Sequence, residues 1–173
     1  LIIAAKPVMA ELVKEIPGVA LLCRGYRDRV LCVHQEAGDV NFTSAYGRGL
    51  ARPITRGAAS RIILAYLPAR TTTKLYEAAP QAFAEGELGD TFADVKITLK
   101  QMRGRGWDVT TGHVAPGVTG IAAPVFDNRG GVLGSLSLTL SNAPSQGDNL
   151  QSVAGRVPLS AKTVSNAVQG PHA

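Results

Sequence analysis

One ten-residue stretch constrains the fold more than any other. From Val132 to Ser141, Leu136, Leu138 and Leu140 alternate with Ser135, Ser137, Thr139 and Ser141. A strand turns successive side chains to opposite faces, so the leucines share one face and four hydroxyls the other. A face that apolar needs a second layer to cover it. The hydroxyl face either meets water or lines a cavity, and the alternation taken alone favours water.

The preceding stretch changes that balance. Val118 to Asp127 reads as the other arm of a hairpin, turning at Asn128-Arg129-Gly130-Gly131. On it Val118, Gly120, Ala122 and Pro124 share a face. A glycine inside a strand weakens it unless something approaches its backbone closely, and a cavity beside Gly120 supplies that reason. Trp107 to His113 reads as a further strand by β-propensity, which places Val109, Thr111 and His113 on one face.

The rest of the chain supplies the covering layers. Ala5, Val8, Met9, Leu12 and Val13 recur at helical spacing over 4–15, and Pro17-Gly18 ends that helix. Residues 19–25 and 29–36 read as a strand pair joined at Tyr26-Arg27-Asp28, and 40–48 as a third strand before a loop from Gly49 to Pro53. Thr55 is the expected N-cap of a helix over 57–67, stopped by Pro68. A second helical stretch covers 72–85, interrupted by Pro80. Asp90 is the expected cap of a third, with Phe92, Val95, Leu99 and Met102 on one face and Gly104 and Gly106 at its end. A last helix runs over 148–168, where Pro158 should break, kink or restart it. Strands grouped apart from helices predict an α+β fold on an antiparallel sheet, not a βαβ array.

A chain of 173 residues that is 45% hydrophobic and 18% charged has the apolar content for one cored domain. It carries no run of about 18 apolar residues and no signal-peptide pattern, so no membrane association and a cytoplasmic location are expected. Cys23 and Cys32 allow one bridge between neighbouring strands, although two free buried thiols are favoured. With no CxxC and no paired histidines, neither a metal site nor a cofactor is expected. The net charge is +5, with basic clusters at Arg24/Arg27/Arg29, Arg48/Arg52/Arg56 and Lys100/Arg103/Arg105. A nucleic-acid surface is conceivable. Without interleaved aromatics or a recognition-helix pattern, solvated faces of separate elements are the better reading.

Arg56-Gly57-Ala58-Ala59-Ser60 opens a helix with small residues. Its first N–H groups lack internal partners, and with the helix dipole they suit a carboxylate or phosphate. Small residues at a helix start are also explained by tight packing, which is favoured when the stretch is taken alone. A hydrolase needs a nucleophile with a positioned base. Ser60 or Ser137 with His113 is the one pairing available, no GxSxG elbow is present, and an enzyme is not expected. His34, in an apolar strand, reads as a structural histidine, and His172 lies in the terminal tail.

Three ordered segments carry a resemblance. Arg52-Pro53-Ile54-Thr55-Arg56-Gly57-Ala58-Ala59-Ser60-Arg61-Ile62-Ile63-Leu64-Ala65 is similar to the stretch that opens a helix in IclR-type transcription regulators. Arg105-Gly106-Trp107 through Val118-Thr119-Gly120-Ile121-Ala122-Ala123-Pro124-Val125-Phe126-Asp127 resembles that family's RGYxxSDGExxPGVxxIAAPVFD segment. Leu133-Gly134-Ser135-Leu136-Ser137-Leu138-Thr139 resembles its closing strand. The resemblance spans nearly the whole chain. It implies a GAF-like effector-binding domain, an antiparallel sheet flanked by helices on both faces. Residues 1–17 would be the end of an inter-domain linker helix and 18–170 the effector domain. The domain would bind a small organic effector, often a carboxylic or aromatic acid, and alter how an N-terminal winged helix-turn-helix grips operator DNA. No helix-turn-helix pattern occurs in this chain. A homodimer or tetramer is implied. The alternative is a free-standing GAF-like sensor working through protein contacts.

Carried over by position, the resemblance makes the amides of Ala58 and Ala59, entered through Gly57, the anion end of the pocket. Thr111 stands where relatives carry an aspartate, and His113 where they carry a glutamate. Gly120 occupies a variable pocket position, and Ser137 and Thr139 match the two hydroxyl positions of the last strand. Val118, Arg52 and Ser44 are expected near the pocket wall. Thr110-Thr111-Gly112-His113 replaces Ser-Asp-Gly-Glu, so the pocket loses two acids and should accept an anionic or less polar ligand more readily.

Overall fold

A computed structural model describes residues 1–38, 46–141 and 148–170. Six strands form one antiparallel sheet: β1 (Val19–Tyr26), β2 (Arg29–Ala37), β3 (Ala51–Pro53), β4 (Asp108–Thr111), β5 (Val118–Phe126) and β6 (Val132–Ser141), in the order β3-β2-β1-β6-β5-β4. The described residues also form six helices: α1 (Ile2–Glu15), α2 (Ala58–Ala65), α3 (Ala69–Ala78), α4 (Pro80–Glu85), α5 (Phe92–Arg105) and α6 (Asp148–Gln169), of which α1, α2 and α6 lie on the sheet. This is the expected α+β architecture.

The period-two pattern of β6 divides the interior into two cores. Leu136, Leu138 and Leu140 are fully buried with Met9 and Leu12 of α1 and Val157 and Val164 of α6. Burying a leucine side chain stabilises the fold by about 1.5–3 kcal/mol, so these three alone fix which face α1 and α6 cover. On the opposite face α2 and α5 pack Ile62, Ile63, Leu64, Val95, Leu99 and Met102 over Leu21, Cys23, Val30 and Cys32. The hydroxyls of β6 lie under α2, not in water: Ser135, Ser137 and Thr139 are all buried.

Several expectations are corrected. The third strand of the sheet is Ala51–Pro53, inside the segment expected as a loop, and residues 46–48 of the expected strand lie outside any strand; residues 39–45 lie outside the described residues. β3 is placed by Leu50, whose carbonyl accepts the Cys32 N–H, and by its pairing of Leu31 with Ala51. Thr55 does not cap α2. It is buried two residues earlier, and Gly57 takes the N-cap position. Thr91, not Asp90, caps α5: its hydroxyl accepts the Asp94 N–H while Asp94 accepts the Thr91 N–H, a reciprocal box.

The stretch over 72–85 becomes two helices, because the residue before a proline is driven out of helical geometry. Ala79 sits at φ −153° and Pro80 begins α4. Pro158 does not end α6, which runs unbroken from Asp148 to Gln169, held on its buried side by Val153, Val157, Ala161 and Val164. Both cysteines are free and buried, directly paired across β1 and β2. His34 is satisfied by Glu36 at 2.7 Å. No described helix is long and apolar enough to cross a membrane.

Candidate functional site

A cavity of about 30 Å³ lies where the start of α2 meets β1, β5 and β6. A cavity needs roughly 10–15 Å³ to hold one water, so this volume suits one or two waters. Small-molecule sites occupy about 300–1,000 Å³.

The sequence builds this cavity from small residues. Gly57 adopts φ +82°, a conformation that L side chains rarely take, and a Cβ there would meet Val114 at 3.0 Å. Ala58 and Ala59 let α2 approach the sheet closely enough for the Ser135 hydroxyl to donate to the Ala59 carbonyl at 2.8 Å. Gly120 faces the same space: an added Cβ would lie 3.8 Å from the Ala58 Cβ. Ser137 and Thr139 close the floor from β6.

The polar groups fall into two kinds. The amides of Gly57 and Ala58 at the start of α2 are engaged within the chain. The Ala58 N–H donates to Thr110 Oγ1 at 3.0 Å, and the Gly57 N–H points at His113 Nδ1 at 3.4 Å. The Ser137 hydroxyl, by contrast, is buried with no hydrogen-bond partner among the described residues. An unpaired buried polar group costs about 1–3 kcal/mol, which a bound water or ligand oxygen would recover.

His113 closes one side of the site. Its ring is buried, and its Nε2 lies 3.0 Å from Glu87 Oε2. Its carbonyl accepts from the Arg56 guanidinium at 3.1 Å. The hydrogen bond with His113 holds the Glu87 carboxyl below the usual glutamate value. With both ring nitrogens engaged, His113 bonds neither Ser60 nor Ser137.

Behind the cavity, Arg61 Nε meets Asp108 Oδ2 at 3.0 Å in a pair that is almost completely buried. Burial raises the Asp108 carboxyl above the ordinary aspartate range, against the pull of Arg61. Arg61 also donates to the Gly86 carbonyl at 3.2 Å. This pair anchors α2 to β4 and fixes the helix start.

Of the residues expected at the site, Gly57, Ala58, Ala59, Val118, Gly120, Ser137 and Thr139 line the cavity. Thr111 does not. Its hydroxyl bonds Thr119 at 2.9 Å on the outer side of the sheet, because Trp107 and Val109 turn into the leucine-side core and place Asp108 and Thr110 on the α2 side. His113 sits at the rim rather than in the lining. Arg52 is one layer removed, its guanidinium 5.3 Å from the centre of the Tyr46 ring, which does line the cavity. Ser44 lies outside the described residues.

Sequence reasoning missed Leu21, Tyr46, Thr110 and Val114. The alternation of Trp107 and Val109 with Asp108 and Thr110 was the signal for Thr110. Tyr46 and Val114 stand in turns, where no periodicity points to them. Tyr46 is held by donating its hydroxyl to the Val30 carbonyl, and burial raises its phenol above the usual range.

The family model for the bacterial transcriptional regulator IclR C-terminal domain matches residues 1–166. No curated protein matches the chain. Among solved structures, the C-terminal domain of Escherichia coli KdgR, a transcriptional regulator, superposes with a TM-score of 0.81 at 20% identity, covering 98% of both chains. Thermotoga maritima IclR gives 0.84 at 14% identity over 97% of this chain and 68% of its own. Pseudomonas aeruginosa HmgR gives 0.82 at 23% identity over 97% and 66%.

Proposed function

Because the chain belongs to the IclR family of bacterial transcriptional regulators and corresponds to their C-terminal domain, we propose that it senses a small organic effector, a carboxylic or aromatic acid, in the cavity between α2 and β6. Effector binding would alter the grip of an N-terminal helix-turn-helix domain on operator DNA, in a homodimer or tetramer of the full regulator. The observation that carries this reading is the buried Ser137 hydroxyl, without a hydrogen-bond partner among the described residues, beside the amides at the start of a helix.

The chemistry fits an acid. The amides of Gly57 and Ala58 are occupied by a histidine ring nitrogen and a threonine hydroxyl. A carboxylate is a stronger acceptor for such donors than either and would displace them. The apolar walls, Leu21, Val114 and Val118, suit an aliphatic or aromatic body. The small volume sets a condition. An effector larger than a water or two enters only if Val114 and the segment from Gly112 to Gly117 swing away from Gly57. The contacts of His113 with Glu87, Arg56 and the Gly57 N–H are polar ties that this opening strains.

The test is a thermal-shift and titration panel of small carboxylates and neutral aromatics on the purified chain. An acid should stabilise it, and Ser137→Ala with Thr139→Val should weaken that acid's binding by about 1–3 kcal/mol. Response to cationic or polyol compounds alone would sink the assignment.

A further inference from the structure

Away from that cavity, the outer helical layer carries an open trough of about 590 Å³ between the start of α3 and one face of α5. Its floor is apolar: Leu67, Phe92 and Leu99, with Tyr66 at one end. At Tyr66 it meets a second groove of about 350 Å³ that runs between β5 and α6 past Pro124 and Phe126. The Tyr66 and Phe126 rings join the two, edge to face at 5.0 Å.

The rim is of one sign. Lys96, Lys100 and Arg103 stand on α5, and Lys162 faces the second groove from α6. No aspartate or glutamate lines either groove among the described residues, and none of these four cations has an ion-pair partner there. Lys96 and Arg103 are held in place, Lys96 over the Phe92 ring at 5.3 Å and Arg103 by donating to the Ala65 carbonyl at 2.8 Å. The trough is therefore a shaped surface, with cations fixed beside aromatic and aliphatic floor residues.

Its dimensions select the occupant. Phe92 to Arg103 is eleven steps along α5, about 16 Å at 1.5 Å per residue, and the second groove extends the surface. That matches three turns of a helix laid in a groove, the mode that reads apolar anchors at three- and four-residue spacing. A phosphate backbone would gain nothing from the apolar floor. We infer that this trough docks an amphipathic helix of a partner protein, with its apolar face on Leu67, Phe92 and Leu99 and its acidic flank on Lys96 and Lys100. The site is independent of the effector cavity, since it shares no lining residue with it. On the regulatory reading proposed above, it would give the domain a contact surface for a protein partner separate from its effector cavity.

The test uses the full chain and a fluorescein-labelled, 16-residue amphipathic helical peptide with leucines on one face and glutamates beside them, read by fluorescence anisotropy. Wild type should bind it saturably, and more weakly as salt rises. Lys96→Glu with Lys100→Glu, both exposed, should weaken binding at least tenfold while leaving the circular dichroism and melting curve in place. A peptide with lysines for glutamates should bind that double variant better than wild type. Replacing the peptide's leucines by serines should also cost at least tenfold. Equal binding by wild type and the double variant overturns the inference, as does equal binding of the serine peptide. Two other results also overturn it. One is duplex DNA binding that is lost in the double variant while the peptide fails to bind. The other is sedimentation showing that the double variant abolishes self-association, which would assign the trough to a second copy of the chain.

Discussion

Replacing Gly120 by alanine should make the protein more stable and less able to bind its effector. Gly120 lies mid-strand in β5, paired with Thr110 and Thr139. A Cβ built there meets Ala58 at 3.8 Å and Thr110 Oγ1 at 4.0 Å, ordinary contact distances, and its backbone is outside the left-handed region. Two terms then act in the same direction. Removing glycine from a strand interior gains about 0.5–1 kcal/mol, and burying one more methyl gains up to about 0.8 kcal/mol. The sum is roughly 1–2 kcal/mol, a rise in Tm of about 2–8 °C for a chain of this size. The same methyl enters a cavity of only about 30 Å³, so effector affinity should fall at least tenfold. Urea and thermal unfolding measure the first effect, and titration of the acid found in the panel measures the second. A destabilised Gly120→Ala would show that the space beside Ala58 is not as described. A stabilised variant with unchanged affinity would place the effector elsewhere.

Asp108→Ala should destabilise the fold by about 3–5 kcal/mol, because it leaves the buried Arg61 charge uncompensated, and urea unfolding checks this; a loss under 1 kcal/mol would make the pair expendable. The same carboxyl sets a pH dependence. Its native pKa is raised above 3.8, so the native state holds the proton longer than the unfolded one. Its contribution is greatest below pH 3.8 and falls as pH rises through the raised value. Glu87 works in the opposite sense. Its pKa is lowered from 4.5 by His113, so its stabilisation is present above pH 4.5 and lost as pH falls through the lower native value. The group is exposed, so the effect is small and screened by salt. Unfolding midpoints of wild type and Glu87→Gln should converge at acid pH and separate above 4.5; parallel curves would remove the His113–Glu87 tie.

The single sheet with a core on each face was legible because β6 writes its faces in leucine and serine, and because a glycine in β5 needed a neighbour close to its backbone. The cavity's floor and helix start followed from the same pattern once the resemblance joined two segments some eighty residues apart. Thr110 was misassigned to the opposite face by one residue, since a one-residue shift inverts a strand and Thr111 was placed by motif instead of by the apolar side of Trp107 and Val109. The engagement of the Gly57 and Ala58 amides by His113 and Thr110 is a contact across more than fifty residues, which no local spacing encodes. The cap of α5 was displaced by one residue because Asp90 and Thr91 are both capping residue types, and only Thr91 has an acid three positions on.

The most direct test is a crystal structure of the chain with the stabilising acid from the panel. The acid should lie between α2 and β6, with an oxygen within hydrogen-bond distance of Ser137 Oγ and Val114 moved off Gly57. An acid bound elsewhere, with the Ser137 hydroxyl still unpartnered and the cavity unchanged, would contradict the proposed site.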